Sequence, residues 1–303
     1  MTQASAIATL APLVLAPALL GVITRTKAIV AGRTGAPLLQ PYYDLAKLMR
    51  KSAVYSRTTT WVFRAGPVVG LAALLIALLV VPLGGVPAPL GFEGDLIVFA
   101  YLLGLLRFLT VIAALDTGSS FEGMGASREV SFAALAEPAL LLGLAAVARK
   151  GGSLSLSTMY AHVDATAWAG AAPTFALVAG ALLAVFLAEN TRVPVDDPTT
   201  HLELTMIHEV MVLDHSGPDL AFILYGSALK LWLLGALFVS LVLPVRSGTV
   251  WVDAGTALAG MFALAVLVGL IESAMARWRL LRVPQFLVGA GVMAALALVF
   301  MLG

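Results

Sequence analysis

Stretches of about twenty apolar residues recur eight times along this chain, and that recurrence leaves it few ways to fold. They lie at 4–24, 66–84, 95–115, 130–148, 172–190, 222–244, 255–275 and 284–302. A hydrocarbon layer about 30 Å thick is crossed by ~20 helical residues rising ~1.5 Å each, so every stretch predicts one crossing. Composition agrees. Charged residues make up 12% of the 303 residues, half the roughly 25% with which soluble domains face water. The chain is expected to be an all-α polytopic membrane protein: one integral membrane domain over 1–303, with eight transmembrane helices and an interfacial amphipathic helix. Because seven spans follow the first, and no charged n-region precedes it, the first is expected to be an anchor and not a cleaved signal.

The formal net charge is +1, which points away from nucleic acid. There is no cysteine, so disulfides, thiolate zinc sites and cysteine-held iron–sulfur clusters are excluded from this chain. Charge placement predicts topology. The odd-numbered connections hold thirteen cations: Arg25, Lys27, Arg33, Lys47, Arg50, Lys51, Arg57 and Arg64, then Arg128, Arg192, Arg277, Arg279 and Arg282. The even-numbered ones hold Arg149, Lys150 and Arg246. Odd connections are therefore expected in the cytoplasm and both termini outside. Within the first of them, "PYYDLAKLMRK" puts Tyr42, Leu45, Leu48 and Met49 on one helical side, behind Pro41 as a helix starter. That pattern predicts a helix lying in the membrane interface; a solvated basic linker is the plainer alternative.

A charge near the bilayer centre costs roughly 2.5–3.5 kcal/mol on insertion scales. Arg107, Glu137, Glu189, Lys230 and Glu272 fall inside or at the ends of spans. Arg107 and Glu137 lie at similar depths of adjacent antiparallel spans, so an ion pair between them is expected. Glu189 and Glu272 can also be read as helix-end side chains reaching for water. The densest polar stretch is "AENTRVPVDDPTTHLELTMIHEVMVLDHSG". Here a helix is predicted from about His201, capped by Thr199 or Thr200, with apolar residues round nearly its whole circumference. His201, Thr205, His208, Glu209 and His215 would share a narrow stripe facing a partner or a cavity. Glu203 would stand alone on an apolar side, suited to proton handling. "HEVMV" has Val212 where a zinc protease has its second histidine, so that motif fails. "GSSFEGMGAS" lacks the lysine of a phosphate-binding loop.

Four segments, "LLQPYYDLAKLMRK", "GSSFEGMGASREVSFAALAEP", "AENTRVPVDDPTTHLEL" and "ESAMARWRL", resemble the membrane subunit (subunit 1) that respiratory complex I shares with energy-converting hydrogenases. Within that family the chain looks most like the hydrogenase-4 component C and formate hydrogenlyase subunit 4 branch. The resemblance implies a tilted eight-helix subunit joining a membrane arm to a peripheral redox arm. The partners it implies are hydrogenase large and small subunits, an iron–sulfur protein and antiporter-like membrane subunits. The nickel–iron centre and iron–sulfur clusters would lie in those partners, and this chain would hold no catalytic residue, cofactor or metal. Position by position, it matches Gln40, Asp44 and Lys47, then Arg128 and Glu137, then Glu189, Arg192, Asp196 and Glu203; proton or ion coupling is expected at Glu137, Glu189, Glu203 and Glu272, with the in-span charges Arg107 and Lys230 beside them. Gln40, Asp44, Lys47, Arg128, Glu129, Arg192, Asp196, Asp197, His201, His208 and Asp214 would belong to the loops and the docking interface. Complex I has glutamates where this chain has Thr199 and His201, and a glutamate-tyrosine-serine-glycine segment where it has Asp214–Gly217. Those departures favour the hydrogenase branch over a quinone reductase. A stand-alone ion transporter and a passive anchor remain as alternatives of other classes. The membrane expected is a bacterial or archaeal cytoplasmic one.

Overall fold

The computed structural model describes residues 3–196 and 206–302. Among these, ten α-helices follow in order: α1 (Gln3–Val30), α2 (Gln40–Met49), α3 (Trp61–Val80), α4 (Asp95–Asp116) and α5 (Ser120–Gly151), then α6 (Leu156–Ala161), α7 (Ala165–Glu189), α8 (Gly217–Val242), α9 (Val250–Ala274) and α10 (Val283–Leu302). Apart from the short α2 and α6, all are long and apolar enough to cross a membrane. The eight expected spans are therefore present. Several helices begin earlier than their apolar runs, because polar residues cap and extend them. Thr60 accepts the Val62 N–H (3.2 Å) to open α3, and Asp164 accepts the Ala167 N–H (2.7 Å) to open α7. Such bonds satisfy amides that have no partner inside the helix.

α8 is the centre of the bundle, with 67% of its apolar window buried against 22% for α4 and α10 at the periphery. It packs on α3, α1, α9 and α7, while α5 packs on α10 and α7, and α1 on α9. Trp232 of α8 is enclosed in this core. Exposed Trp61 and Trp251 open α3 and α9, which run in opposite directions, and so mark the two interfaces as aromatic belts do. Pro17 in α1 has no N–H to offer the Leu13 carbonyl; the Tyr225 hydroxyl of α8 donates to that carbonyl instead (2.8 Å). The amphipathic helix is α2, with Pro41 at its start and no buried residue, and its Tyr42 hydroxyl donates to the Val14 carbonyl of α1.

One expected element is corrected. The proposed start near His201 lies outside the described residues, but from Met206 onward there is no α-helix. A single 3-10 turn, Glu209–Val212, is flanked by irregular chain, and α8 starts at Gly217 with φ +56°. The apolar circumference signalled burial and not helical periodicity. Val195 and Ile207 pack on α5 and α10 residues, and Met211 and Val212 on Ala114 of α4 and Ala126 of α5. The glycine-rich "GSSFEGMGAS" is the first turns of α5, and Gly125 is where this loop docks. A Cβ there would collide with a methyl of Val210 and stand 3.0 Å from the Ile207 carbonyl. Gly125→Ala is therefore expected to destabilise the fold by about 1–3 kcal/mol through overpacking. Thermal unfolding in detergent should show it, with Val210→Ala restoring part of the loss; an unchanged melting temperature would contradict this packing.

Candidate functional site

Arg107 sits midway along α4, where a lone guanidinium is costly, and three carboxylates surround it. It pairs with Glu129 (3.3 Å) and Glu137 of α5 and with Glu189 (2.5 Å), the last residue of α7. Glu189 also pairs with Lys230 (2.8 Å), midway along α8. The expected Arg107–Glu137 pair is present as one arm of a larger cluster. Glu189 is buried and doubly paired, so it is not a helix-end side chain reaching for water. Its position has a geometric consequence. α7 ends beside side chains from the middles of α4 and α8, and the described chain that follows it, 190–196, is non-helical there. Such backbone is tolerated at membrane depth only where protein or a wet cavity covers it.

A second group anchors that irregular chain. Glu272 of α9 has a fully buried side chain held by Lys27 of α1 (2.9 Å) and Arg192 (3.4 Å). Asp196 pairs with Arg277 (2.8 Å) and accepts the Ile207 N–H (3.0 Å), while the Trp278 N–H donates to the Pro194 carbonyl (2.9 Å). Arg128 donates to the Met206 carbonyl (2.9 Å) and rests on the Met124 sulfur. Both edges of the loop are thus fastened, one to the chain following α9 and the other to α5.

Between the groups lies a cavity of about 470 Å³. Arg107, Glu129, Glu189, Lys230, Lys27, Arg192 and Glu272 all line it, with His208, Glu209 and Asp44. Apolar residues complete its wall, among them Pro17, Leu20 and Ile23 of α1, Leu71 of α3, Leu106 of α4 and Phe222 of α8. The charged parts of the wall therefore suit water and protons and the apolar parts suit hydrocarbon. Burial lowers the pKa of His208, partly opposed by the Glu129 carboxylate, so the imidazole lies neutral in the wall at neutral pH.

The other expected residues separate. Without the helix there is no histidine stripe: His208 lines the cavity, whereas His215 is stacked on Phe63 of α3 with ring centroids 3.9 Å apart. Burial pushes His215 down to about 4, against the opposing pull of Asp219 and Asp214. Asp214 has an exposed side chain, and its N–H donates to the buried Glu122 of α5 (3.2 Å). Gln40 donates to Asp44 on α2 (2.8 Å), and Lys47 is exposed there. Asp197, Thr199, Thr200, His201 and Glu203 lie outside the described residues. Lys27 and Arg277 were expected only as topology cations, Glu129 only as a loop and interface residue, and Glu122 not at all. Position 129, eight residues before Glu137 and so about two turns along the same helix, was the available signal for Glu129. Among the described residues no group of three potential ligands is placed to hold a metal.

The NADH dehydrogenase family profile matches residues 4–303. This chain belongs to that family. Relatives of this NADH dehydrogenase family member include formate hydrogenlyase subunit 4 of Escherichia coli (strain K12), 32% identical over 89% of both chains. Hydrogenase-4 component C of the same strain is 31% identical over 96% of this chain and 92% of that one. An NADH-quinone oxidoreductase subunit of Anaplasma phagocytophilum (strain HZ) is 28% identical over 68% of this chain and 63% of its own. A chain of the membrane-bound sulfane sulfur reductase, an archaeal respiratory membrane complex, shares the fold with TM-score 0.82 over 98% of both chains at 20% identity.

Two outcomes are expected of this family member's charges. Arg107→Met strands Glu129, leaves Glu189 with Lys230 alone, and should cost about 3–5 kcal/mol, the usual effect of removing one partner of a buried pair; thermal unfolding reads it, and Arg107→Lys should recover part. For His215, the unfolded chain binds more protons than the folded one between pH 6.5 and about 4. Its stabilising contribution is full above 6.5 and is lost as pH falls toward 4. His215→Phe should flatten that portion of the stability–pH curve; an unaltered slope would count against a neutral buried ring.

Proposed function

We propose that this chain is the membrane anchor and ion-coupling subunit of a multi-subunit energy-converting oxidoreductase of the group 4 nickel–iron hydrogenase or formate hydrogenlyase type. It links a peripheral redox arm to proton or sodium movement. The observation that carries this reading is the Arg107 cluster on the cavity wall. Two cations, Arg107 and Lys230, face three carboxylates, Glu129, Glu137 and Glu189. With every group ionised the cluster holds one surplus negative charge, and a single proton neutralises it. Such a group responds to a charge change at the cavity by taking up or releasing a proton. Glu137 gives the cluster a way out: its side chain is 47% exposed on the flank of α5. Next to it, Pro138 has no N–H for the Ala134 carbonyl, so this patch of the span is polar and suits another membrane subunit better than lipid.

In this reading the irregular loop carries events from the redox arm to the cluster, because Arg192 and Asp196 fasten its first edge to Glu272 and Arg277. Hydrogenase large and small subunits and an iron–sulfur protein dock on the side bearing α2 and hold the nickel–iron centre and clusters. Antiporter-like subunits adjoin the α5 flank. The cation bias supports an orientation with the α2 side in the bacterial or archaeal cytoplasm and both termini outside. Glu203 and Asp197 belong to the same path by their place in the sequence. The second reading, a quinone-site subunit of a complex I-like oxidoreductase, is favoured by the apolar part of the cavity. Labelling of residues around Ile207 and Val210 that changes with a bound quinone analogue supports it.

The test is purification through a tag on this chain in mild detergent, with mass spectrometry of co-purifying chains and nickel and iron analysis. Glu137→Gln is then introduced, which removes the charge and nearly keeps the shape. The assembled complex is expected to retain electron transfer and lose most of the coupled proton uptake. Coupled uptake unchanged in a fully assembled variant would sink the role of Glu137, and lowered yield with normal activity per complex would make this chain a passive anchor.

A further inference from the structure

The cluster and cavity leave unused a second, basic cleft on the outer corner formed by the ends of α1 and α9. It is lined by Lys27, Val30, Arg33, Thr34, Gly35 and Ser273. The chain leaving α1 folds back on the helix, the Arg33 N–H donating to the Ala28 carbonyl (2.8 Å) and the Arg25 guanidinium to the Thr34 carbonyl. Gly35 makes the turn possible: its φ is +63°, and a Cβ there would collide with the Ala28 methyl. The result is a pocket lined by cations, with no acid among its described lining residues. The side chain of Glu272 is fully buried under Lys27, whose own side chain remains partly exposed. Among the described residues, neither the Arg33 guanidinium nor the Thr34 hydroxyl has a partner, so both are donors without an acceptor.

What lies beneath the cleft decides its occupant. On α9, Leu270 and Val266 stand one and two turns before Ser273, so they run down the same helix face into the span. Both are exposed, as are Ile29 and Val30 on α1. Donors for a phosphate therefore sit directly above an apolar strip at the end of two membrane-spanning helices. A soluble acidic protein offers nothing for that strip, and free phosphate has no use for it; an amphiphile satisfies both. We infer that this corner binds an anionic phospholipid, its phosphate between Arg33, Thr34 and Lys27 and an acyl chain along Leu270 and Val266. Such a lipid adds attraction at the membrane surface to burial along the helices.

The complex purified through a tag on this chain is placed in nanodiscs of phosphatidylcholine with phosphatidylglycerol, then delipidated stepwise in detergent. Native mass spectrometry counts what stays. Phosphatidylglycerol is expected to persist on the wild-type complex, to be retained about fivefold less by Arg33→Gln, the effect of one arginine at a membrane surface, and to be restored by Arg33→Lys. Arg57→Gln, an exposed cation elsewhere, should change nothing. If Arg33→Gln does not accumulate, Thr34→Val removes a phosphate donor without altering charge and is expected to lower retention in the same way. Equal retention by the variants, equal retention of phosphatidylcholine, or loss of a protein chain from Arg33→Gln at unchanged lipid count would each overturn the inference.

Discussion

A guanidinium halfway along a membrane-spanning helix has to be neutralised by protein, and Arg107 is neutralised by residues of two other helices at once. Its partners on α5 and α7, and through Glu189 the ammonium of Lys230 on α8, tie four spans together at one depth. The ties set more than local geometry. Because Glu189 is the last residue of α7 and meets its partners at mid-helix, α7 ends inside the bundle. The described chain that follows, 190–196, continues without a helix.

That loop makes the subunit more than eight helices in lipid. A chain without regular hydrogen bonds survives at such depth because carbonyls and amides find side chains and backbone partners: Arg128 for Met206, Asp196 for Ile207, the Trp278 N–H for Pro194. The cavity beside its described residues carries both groups of buried ion pairs in its wall. Displacing the loop therefore alters the surroundings of Glu272 and Glu189 together. In the proposed function, this geometry is how a docked redox protein would act on charges in the membrane without supplying a residue to them.

Much of this was legible from residues. Apolar runs located all eight spans, Pro41 and its amphipathic pattern located α2, and depth arithmetic found the Arg107–Glu137 pair. Three things were misread, left open or missed for physical reasons. The segment after Met206 is apolar on every side, and such a pattern reports burial without reporting a period, so a helix was inferred where a single 3-10 turn stands. Glu189 and Glu272 lie at helix ends in sequence, where water is ordinarily near. Only the early end of α7 and the crossing of α1 with α9 bury them. Lys27 and Arg277 were indistinguishable from topology cations, since pairing depends on which helix ends meet.

By itself the sequence determined the membrane, the number of crossings, the absence of cysteine-held cofactors and the scarcity of charge, because these follow from length, composition and hydropathy alone. It also carried the motifs of the family. What the tertiary structure decided is the company each charge keeps. Residues more than eighty positions apart, Arg107 with Glu189 or Lys27 with Glu272, meet only because the helices that carry them pack together. No local pattern encodes that meeting. A carboxylate's role depends on which cation stands within a few ångströms, so the candidate site belongs to the packing of the helices and not to any one of them.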